Sequence, residues 1–297
     1  MRYKIQVISA LIFLAFAAWI LGQQWEAYQK APKNFQWNAV DNFLKENAGE
    51  DDLLLFEPAW LAGFALDHER LTRYSVVNRE EVFKGIFPPS SRLWVISFHL
   101  PPNLTRRFQQ AGVLLEKTHS IDSLSLAEYR LPAKGVYDFT AHLGQADAFI
   151  DYGDGKITKG EWKTESWVFP DEPVEWNQIE LEVQPFRRRF HRCIWFHPLE
   201  NGVKTLSFSN VPPAQSLQVF GGIVDSGLQV PPGEPVYLFI KIDGIDAAAL
   251  KFEDTDNVFQ KHISPPAFDQ RFHKVQFEIR TSRQGYRHFC FSAWSQN

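Results

Sequence analysis

Thiols are scarce in this chain: Cys193 and Cys290 are its only cysteines, and no CxxC occurs. A four-thiolate zinc site is thereby excluded, as is the disulfide scaffold of a small secreted domain. One bridge forms if the strands carrying the two cysteines are neighbours; otherwise they are free buried thiols. Excess positive charge is also lacking, since 31 Lys and Arg face 35 Asp and Glu for a formal charge of −4. That balance gives no electrostatic case for nucleic acid. The one dense basic run, Arg187–Arg189 with Arg192, is broken by Phe190 and His191 and reads as a solvated strand edge or turn. No Gly-rich phosphate loop follows a strand-like segment, and neither a Gly-x-Ser-x-Gly elbow nor a Cys–His signature is present. No catalytic residue, metal ligand or cofactor is assigned, and an enzyme is the weaker expectation.

Hydrophobic residues, by contrast, make up 44% of the 297 positions and aromatics 15%, ample for packed cores in about two domains. At the N-terminus a basic head, Met1 to Lys4, precedes an uncharged run, Ile5 to Gly22 ("IQVISALIFLAFAAWILG"). Such a run approaches the ~20 residues needed to span a bilayer as a helix. With the charges on its N-terminal side, the chain up to residue 24 is expected to anchor in the membrane, residues 5–22 meeting lipid. The N-terminus then stays cytoplasmic and the bulk lies outside, in a periplasmic or equivalent compartment. A cleaved signal peptide is the rival, because Ala15–Ala17 fits a small-x-small site, but Trp19–Leu21 prolong the apolar run beyond it.

Residues 34–131 alternate helix-like and strand-like pieces. Trp37, Val40, Phe43 and Leu44 have helical spacing; Asp51–Phe56 and Leu93–Phe98 read as buried strands; Leu104–Leu115 reads as a helix and Ser123–Tyr129 as a closing strand. A small α/β layer with a mostly parallel sheet is expected. From residue 136 to 297 the texture becomes short alternating strands punctuated by Gly, Pro and Asn: Gln178–Val183, Cys193–Phe196, Thr205–Phe208, Val236–Ile242, Lys274–Arg280 and His288–Ala293. That pattern predicts a β-sandwich or jelly roll.

Asp151–Glu161 ("DYGDGKITKGE") imitates a calcium loop, but Ile150 and Tyr152 occupy the first two ligand positions and supply no side-chain oxygen. Asp154-Gly155 between strand-like segments predicts a hairpin turn instead. His191 and His197 share parity with Cys193 and Trp195 and, with His288, are expected to be structural or rim groups rather than metal ligands. The loop acids Asp171, Glu172 and Glu175 are a weak carboxylate signal for glycoside hydrolysis. Ten tryptophans are the stronger feature. Trp162, Trp167 and Trp176 lie in polar surroundings, and flat indole faces edged by hydrogen-bonding groups suit sugar rings. The candidate ligand-binding set is Trp162, Trp167, Trp176, Trp195, His197, Arg287 and His288.

Two segments carry a resemblance. The order "WNAVDNFLKENAGEDDLLLFEPAW", "SRLWVISFH" and "FQQAGVLLEKTHSIDSLSLAEYRL" after an apolar span resembles the extracytoplasmic tail of bacterial GT-C glycosyltransferases of the protein O-mannosyltransferase-like group. Asp51-Asp52, Arg92–Ile96 and Leu126–Leu131 stand where that group has its acidic turn and two later strands. Segments from "CIWFHPLENGVKTLSFSNVP" through "VYLFIKIDG" to "YRHFCFSAW" look like the carbohydrate-binding-module-like jelly rolls appended to such enzymes. That family keeps its catalytic acid in a many-helix bundle, and this chain has one apolar span. The resemblance therefore implies a non-catalytic tail that binds glycan or a multispanning glycosyltransferase partner. The alternative is an envelope glycan-processing hydrolase or transferase with an unrecognised site in the β-sandwich.

Overall fold

The computed structural model describes residues 13, 16–22, 32–66, 71–85, 87–90, 92–132, 137–171, 177–186, 189–200, 202–228, 232–254, 259–264, 268 and 271–297. Most of the expected anchor lies outside them. Among the described residues no helix is long and apolar enough to cross a membrane.

Helices and a five-stranded sheet make up the described residues between 34 and 131. α1 (Asn34–Asn47) buries Trp37, Val40 and Leu44 along one stripe. A five-stranded sheet runs in the order β2 (Ser75–Val76), β1 (Leu53–Glu57), β3 (Arg92–Ser97), β5 (Leu124–Arg130), β4 (Leu114–Ile121). Only β1–β2 and β1–β3 are parallel, while β3–β5 and β4–β5 are antiparallel, so the sheet is mixed rather than mostly parallel. α2 (Leu61–Leu66) and α3 (Arg79–Lys84) sit beside the parallel strands, and the reason for the antiparallel ones lies after α4 (Pro102–Gln110). Gly112, at φ 76°, ends the turn after α4, and the chain continues as β4 where a helix to Leu115 was expected. Asp52 explains why the acidic turn and the "RLWVI" strand travel together. Its carboxylate accepts from the Trp94 indole at 2.9 Å and pairs with Arg92 at 3.0 Å, holding α1's exit against β3.

The second lobe is a β-sandwich. One sheet runs β17 (Phe259–Ile263), β14 (Ser216–Ile223), β19 (Phe289–Gln296), β12 (Arg189–Phe196), β11 (Ile179–Phe186), β10 (Ser166–Val168), β9 (Glu161–Lys163), with β6 (Tyr137–Asp138) beside β19. The other runs β16 (Ile245–Phe252), β15 (Val236–Ile242), β18 (His273–Arg280), β13 (Val203–Val211), β7 (Asp147–Asp151), β8 (Ile157–Lys159). Alternation sets the facing: Val236, Leu238 and Ile240 meet Val275, Phe277 and Ile279 and then Phe289, Phe291 and Ala293 of the opposite sheet. Each of the six strands expected from alternation overlaps an observed one, four lying wholly within it and those at Gln178 and His288 starting one residue early.

The calcium-like stretch is the β7–β8 hairpin, pairing Phe149 with Lys159 and Asp151 with Ile157. Asp151 and Asp154 spend side-chain oxygens on the backbone N–H groups of Gly153 and Lys156 within the turn. Cys193 and Cys290 form a disulfide across the neighbouring strands β12 and β19.

The basic run is corrected most. Arg189 pairs with Glu81 at 2.7 Å, Arg192 with Asp51 at 2.5 Å, and the Arg192 backbone N–H donates to Ser75 Oγ at 2.8 Å. Phe190, between them, packs against the α/β core. β12 thus overshoots the sandwich and fastens it to the first lobe, so Arg189 and Arg192 dock the lobes rather than forming a solvated edge, while Arg187 and Arg188 lie outside the described residues.

Candidate functional site

The junction of the lobes leaves a cleft of about 550 Å³. Its walls are Glu50 and Arg73 from the α/β lobe and, from the sandwich, the 140–144 segment, the β9–β10 hairpin, β11 and Arg192. Trp162 supplies the apolar surface. It stands on β9 opposite Trp167 of β10, the ring centroids 5.4 Å apart. Trp167 is buried and donates its indole N–H to the Leu143 carbonyl at 3.0 Å, fixing the pair. Trp162 lies against Gly144, where an added Cβ would sit 3.0 Å from the ring. One side of the indole is thus occupied, and the residue remains 38% exposed toward the cleft.

The hairpin tip is unusual in its residues. Thr164 and Glu165 take φ of 47° and 66°, the left-handed pair a two-residue type I′ turn demands, where Asn and Gly would cost less. Such positions cost on the order of 1–3 kcal/mol each and gather at functional sites. Both residues line the cleft. β11 adds Glu180 and Glu182, which alternation sets on one face, and Gln184 donates to Glu182.

The cleft's cations are held by carboxylates. Arg192 pairs with Asp51 and, at 3.6 Å, with Glu50. Arg73 reaches Asp41 at 3.5 Å.

Of the expected ligand-binding residues, the cleft therefore contains Trp162, with Trp167 behind it. Trp176 lies outside the described residues. Trp195, His197, Arg287 and His288 do gather, but elsewhere. The Trp195 ring is 6.2 Å from His197 and 5.3 Å from His288, and the two imidazoles are 5.6 Å apart. This cluster is packed rather than open: Trp195 and His197 are buried beside the disulfide layer. Burial first, then Lys204 and His288, depress His197 to about 3, so its ring is neutral. His288 is also lowered, by burial and then by Arg287, and its Nδ1 lies 3.0 Å from Ser226 Oγ.

His191, which shares their strand face, sits instead 4.2 Å from the Phe220 ring and is held at about 3 by burial. Among the described residues no group of three or more His, Cys, Asp or Glu side chains converges as a metal site would require.

Arg287 is a structural ion rather than a ligand contact. Only 1% exposed, it pairs with Asp254 at 2.6 Å and donates to the carbonyls of Gly227 and Glu234. The Gly233 N–H binds the same carboxylate, and a Cβ there would stand 2.6 Å from the guanidinium. Arg287→Met leaves Asp254 buried without its cation and is expected to cost about 3 kcal/mol. Denaturant unfolding at neutral pH measures this, and an unchanged midpoint contradicts the structural role.

Glu50, Glu165, Glu180, Glu182 and Arg73 were not singled out by sequence, and Arg192 only as part of the basic run. The available signal was the alternation "IELEV" of β11, whose two glutamates must share a face. Asp171, the one described member of the loop-acid trio, is spent on Thr158 and Lys156, and those bonds, Thr158's first, hold its pKa below the usual carboxylate range.

No protein-family model matches the sequence, and no curated protein matches it. Three solved structures are similar to part of the chain, each distantly. The first, the CBM51-2 and INT domains of Clostridium perfringens ZmpB, shares 9% identity at a TM-score of 0.29, over 39% of this chain and 26% of that one. A CBM51 from Clostridium perfringens GH95 in complex with methyl-galactose shares 10% at 0.30, over 39% and 81%. A family 35 carbohydrate binding module from Clostridium thermocellum shares 10% at 0.26, over 39% and 88%.

Proposed function

We propose that the chain is a membrane-anchored, extracytoplasmic glycan-binding protein that serves as a non-catalytic accessory to a multispanning glycosyltransferase of the GT-C kind. One observation carries the binding half: Trp162 presents an open indole face in the interlobe cleft, edged by Thr140, Thr164, Glu165 and Glu182. A pyranose ring lays its C–H face on such a surface while carboxylates and hydroxyls bind its hydroxyl groups. Two features support the placement outside the cytoplasm. The uncharged run at 5–22 has the length of a span. The Cys193–Cys290 bridge belongs to an oxidising compartment.

Covering an indole of this size contributes about 1.5–3 kcal/mol. Trp162→Ala is therefore expected to weaken glycan binding roughly 10- to 100-fold. Trp fluorescence titration against envelope oligosaccharides, beside a glycan array, measures it. A flat response across all of them defeats the binding role. Gly144→Val reaches the same end from behind, because its side chain collides with the indole. It should lower affinity with Trp162 intact. Co-purification with a multispanning transferase tests the accessory half.

A second reading has its own support: four glutamates line one cleft, the arrangement from which a glycan-processing enzyme draws its acid and base. Incubation with labelled envelope glycans distinguishes the two. Sugar release that vanishes in Glu182→Gln would establish the enzyme, and binding without release would establish the module.

A further inference from the structure

Charge is the cleft's most one-sided property. Its lining holds four carboxylates, Glu50, Glu165, Glu180 and Glu182, against two guanidinium groups, Arg73 and Arg192. Both cations already face carboxylates. Arg192 is shared between Asp51 and Glu50, and Arg73 is drawn to Asp41, which Lys45 also meets at 3.3 Å. Among the described residues no Lys or Arg is paired with Glu165 or Glu182.

Resting on the glycan-binding reading above, we infer that the ligand of this cleft is a basic glycan, one whose sugars carry free amino groups. A protonated amine on a sugar stacked against Trp162 meets the carboxylates of Glu165 and Glu182 at the rim. A uronate, phosphate or sulfate in the same place meets mostly like charge, because the two arginines of the described lining, Arg73 and Arg192, already face carboxylates. In a walled recess these interactions are less screened than at open surface, where they fade over about 8 Å in physiological salt. The indole fixes where a ring lies, and the carboxylates decide which ring is kept.

The test uses the full chain in detergent, titrated near neutral pH and low ionic strength with three oligosaccharides of equal length. These are a glucosamine oligomer, its fully N-acetylated counterpart, and a galacturonate oligomer, followed by Trp fluorescence and calorimetry. The glucosamine oligomer is expected to bind at least tenfold more tightly than the N-acetylated one, with an advantage that shrinks as salt is added. The galacturonate is expected not to bind. Glu50→Lys, at an exposed position, and Glu165→Gln should each narrow the preference, while Trp162→Ala lowers affinity for both binding oligomers. Equal affinity for the amine and acetamide forms, or galacturonate bound as well as either, overturns the inference while leaving glycan binding intact. No response to any of the three removes the binding reading and the inference with it.

Discussion

Acidification from pH 6.5 to 4.5 is expected to remove several kcal/mol of stability, because two imidazoles are buried in their neutral form. His191 and His197 are each held at about 3, chiefly by burial, against an ordinary value of 6.5. Above pH 6.5 both rings are neutral whether the chain is folded or not, and nothing changes. Between 6.5 and about 3 the unfolded chain takes up protons that the folded one refuses, so stability falls with falling pH. The slope is about 1.4 kcal/mol per pH unit for each histidine. Over two units the pair therefore accounts for up to about 5 kcal/mol, comparable with the whole stability of many domains. Asp138 works the other way. Its carboxyl is raised by burial, so the folded state holds the proton first and gains as pH falls. Urea unfolding at pH 7.5, 6.0 and 5.0 tests the assignment. His191→Phe, in a pocket already lined by Phe186 and Phe220, should retain the fold and flatten the pH dependence by about half. An unchanged slope in that variant and in His197→Phe would mean that the rings are protonated in the fold.

Those histidines also show where sequence reasoning stops. Parity correctly set His191, Cys193 and Trp195 on one face of β12, because a strand alternates whatever surrounds it. Parity is silent on what covers that face, and burial is what turned a candidate sugar-binding row into packing. The hairpin at 151–161 was legible because Asp154-Gly155 is a local signal with a local cause. β14 was not, since its residues are buried on both sides and leave no alternation to see. Its Gly221 is dictated by the Phe291 Cβ on the neighbouring strand, 3.0 Å from where a side chain would begin. Of the two paired tryptophans, sequence could not say that Trp167 turns inward and Trp162 outward. The cleft itself was unreadable for a different reason. Its walls come from distant chain segments, joined where Arg189, Phe190 and Arg192 of β12 meet the α/β lobe.

The joining of β12 to β19 carries the other large effect. Cys193 and Cys290 close a loop spanning 97 residues, with Cα atoms 5.7 Å apart in a layer shared with Trp195, Phe220 and Trp294. Cross-linking so long a loop restricts the unfolded chain by about 4–5 kcal/mol in the entropic account. The bridge also ties the strand that docks the α/β lobe to the C-terminal strand at the sandwich's centre. Cys193→Ala with Cys290→Ala is expected to lower stability by about 4 kcal/mol, less what the vacated space recovers by relaxation. Reduction without substitution should approach the same value, because the thiols stay in place while the loop opens. Denaturant unfolding of the oxidised, reduced and doubly substituted forms separates the contributions. If reduction leaves the midpoint where it was, the bridge constrains nothing that packing has not already fixed. If the double variant loses the contacts of Arg189 and Arg192 as well, seen as separate unfolding of the two lobes, then the disulfide sustains the interlobe cleft, and ligand binding at Trp162 should fall with it.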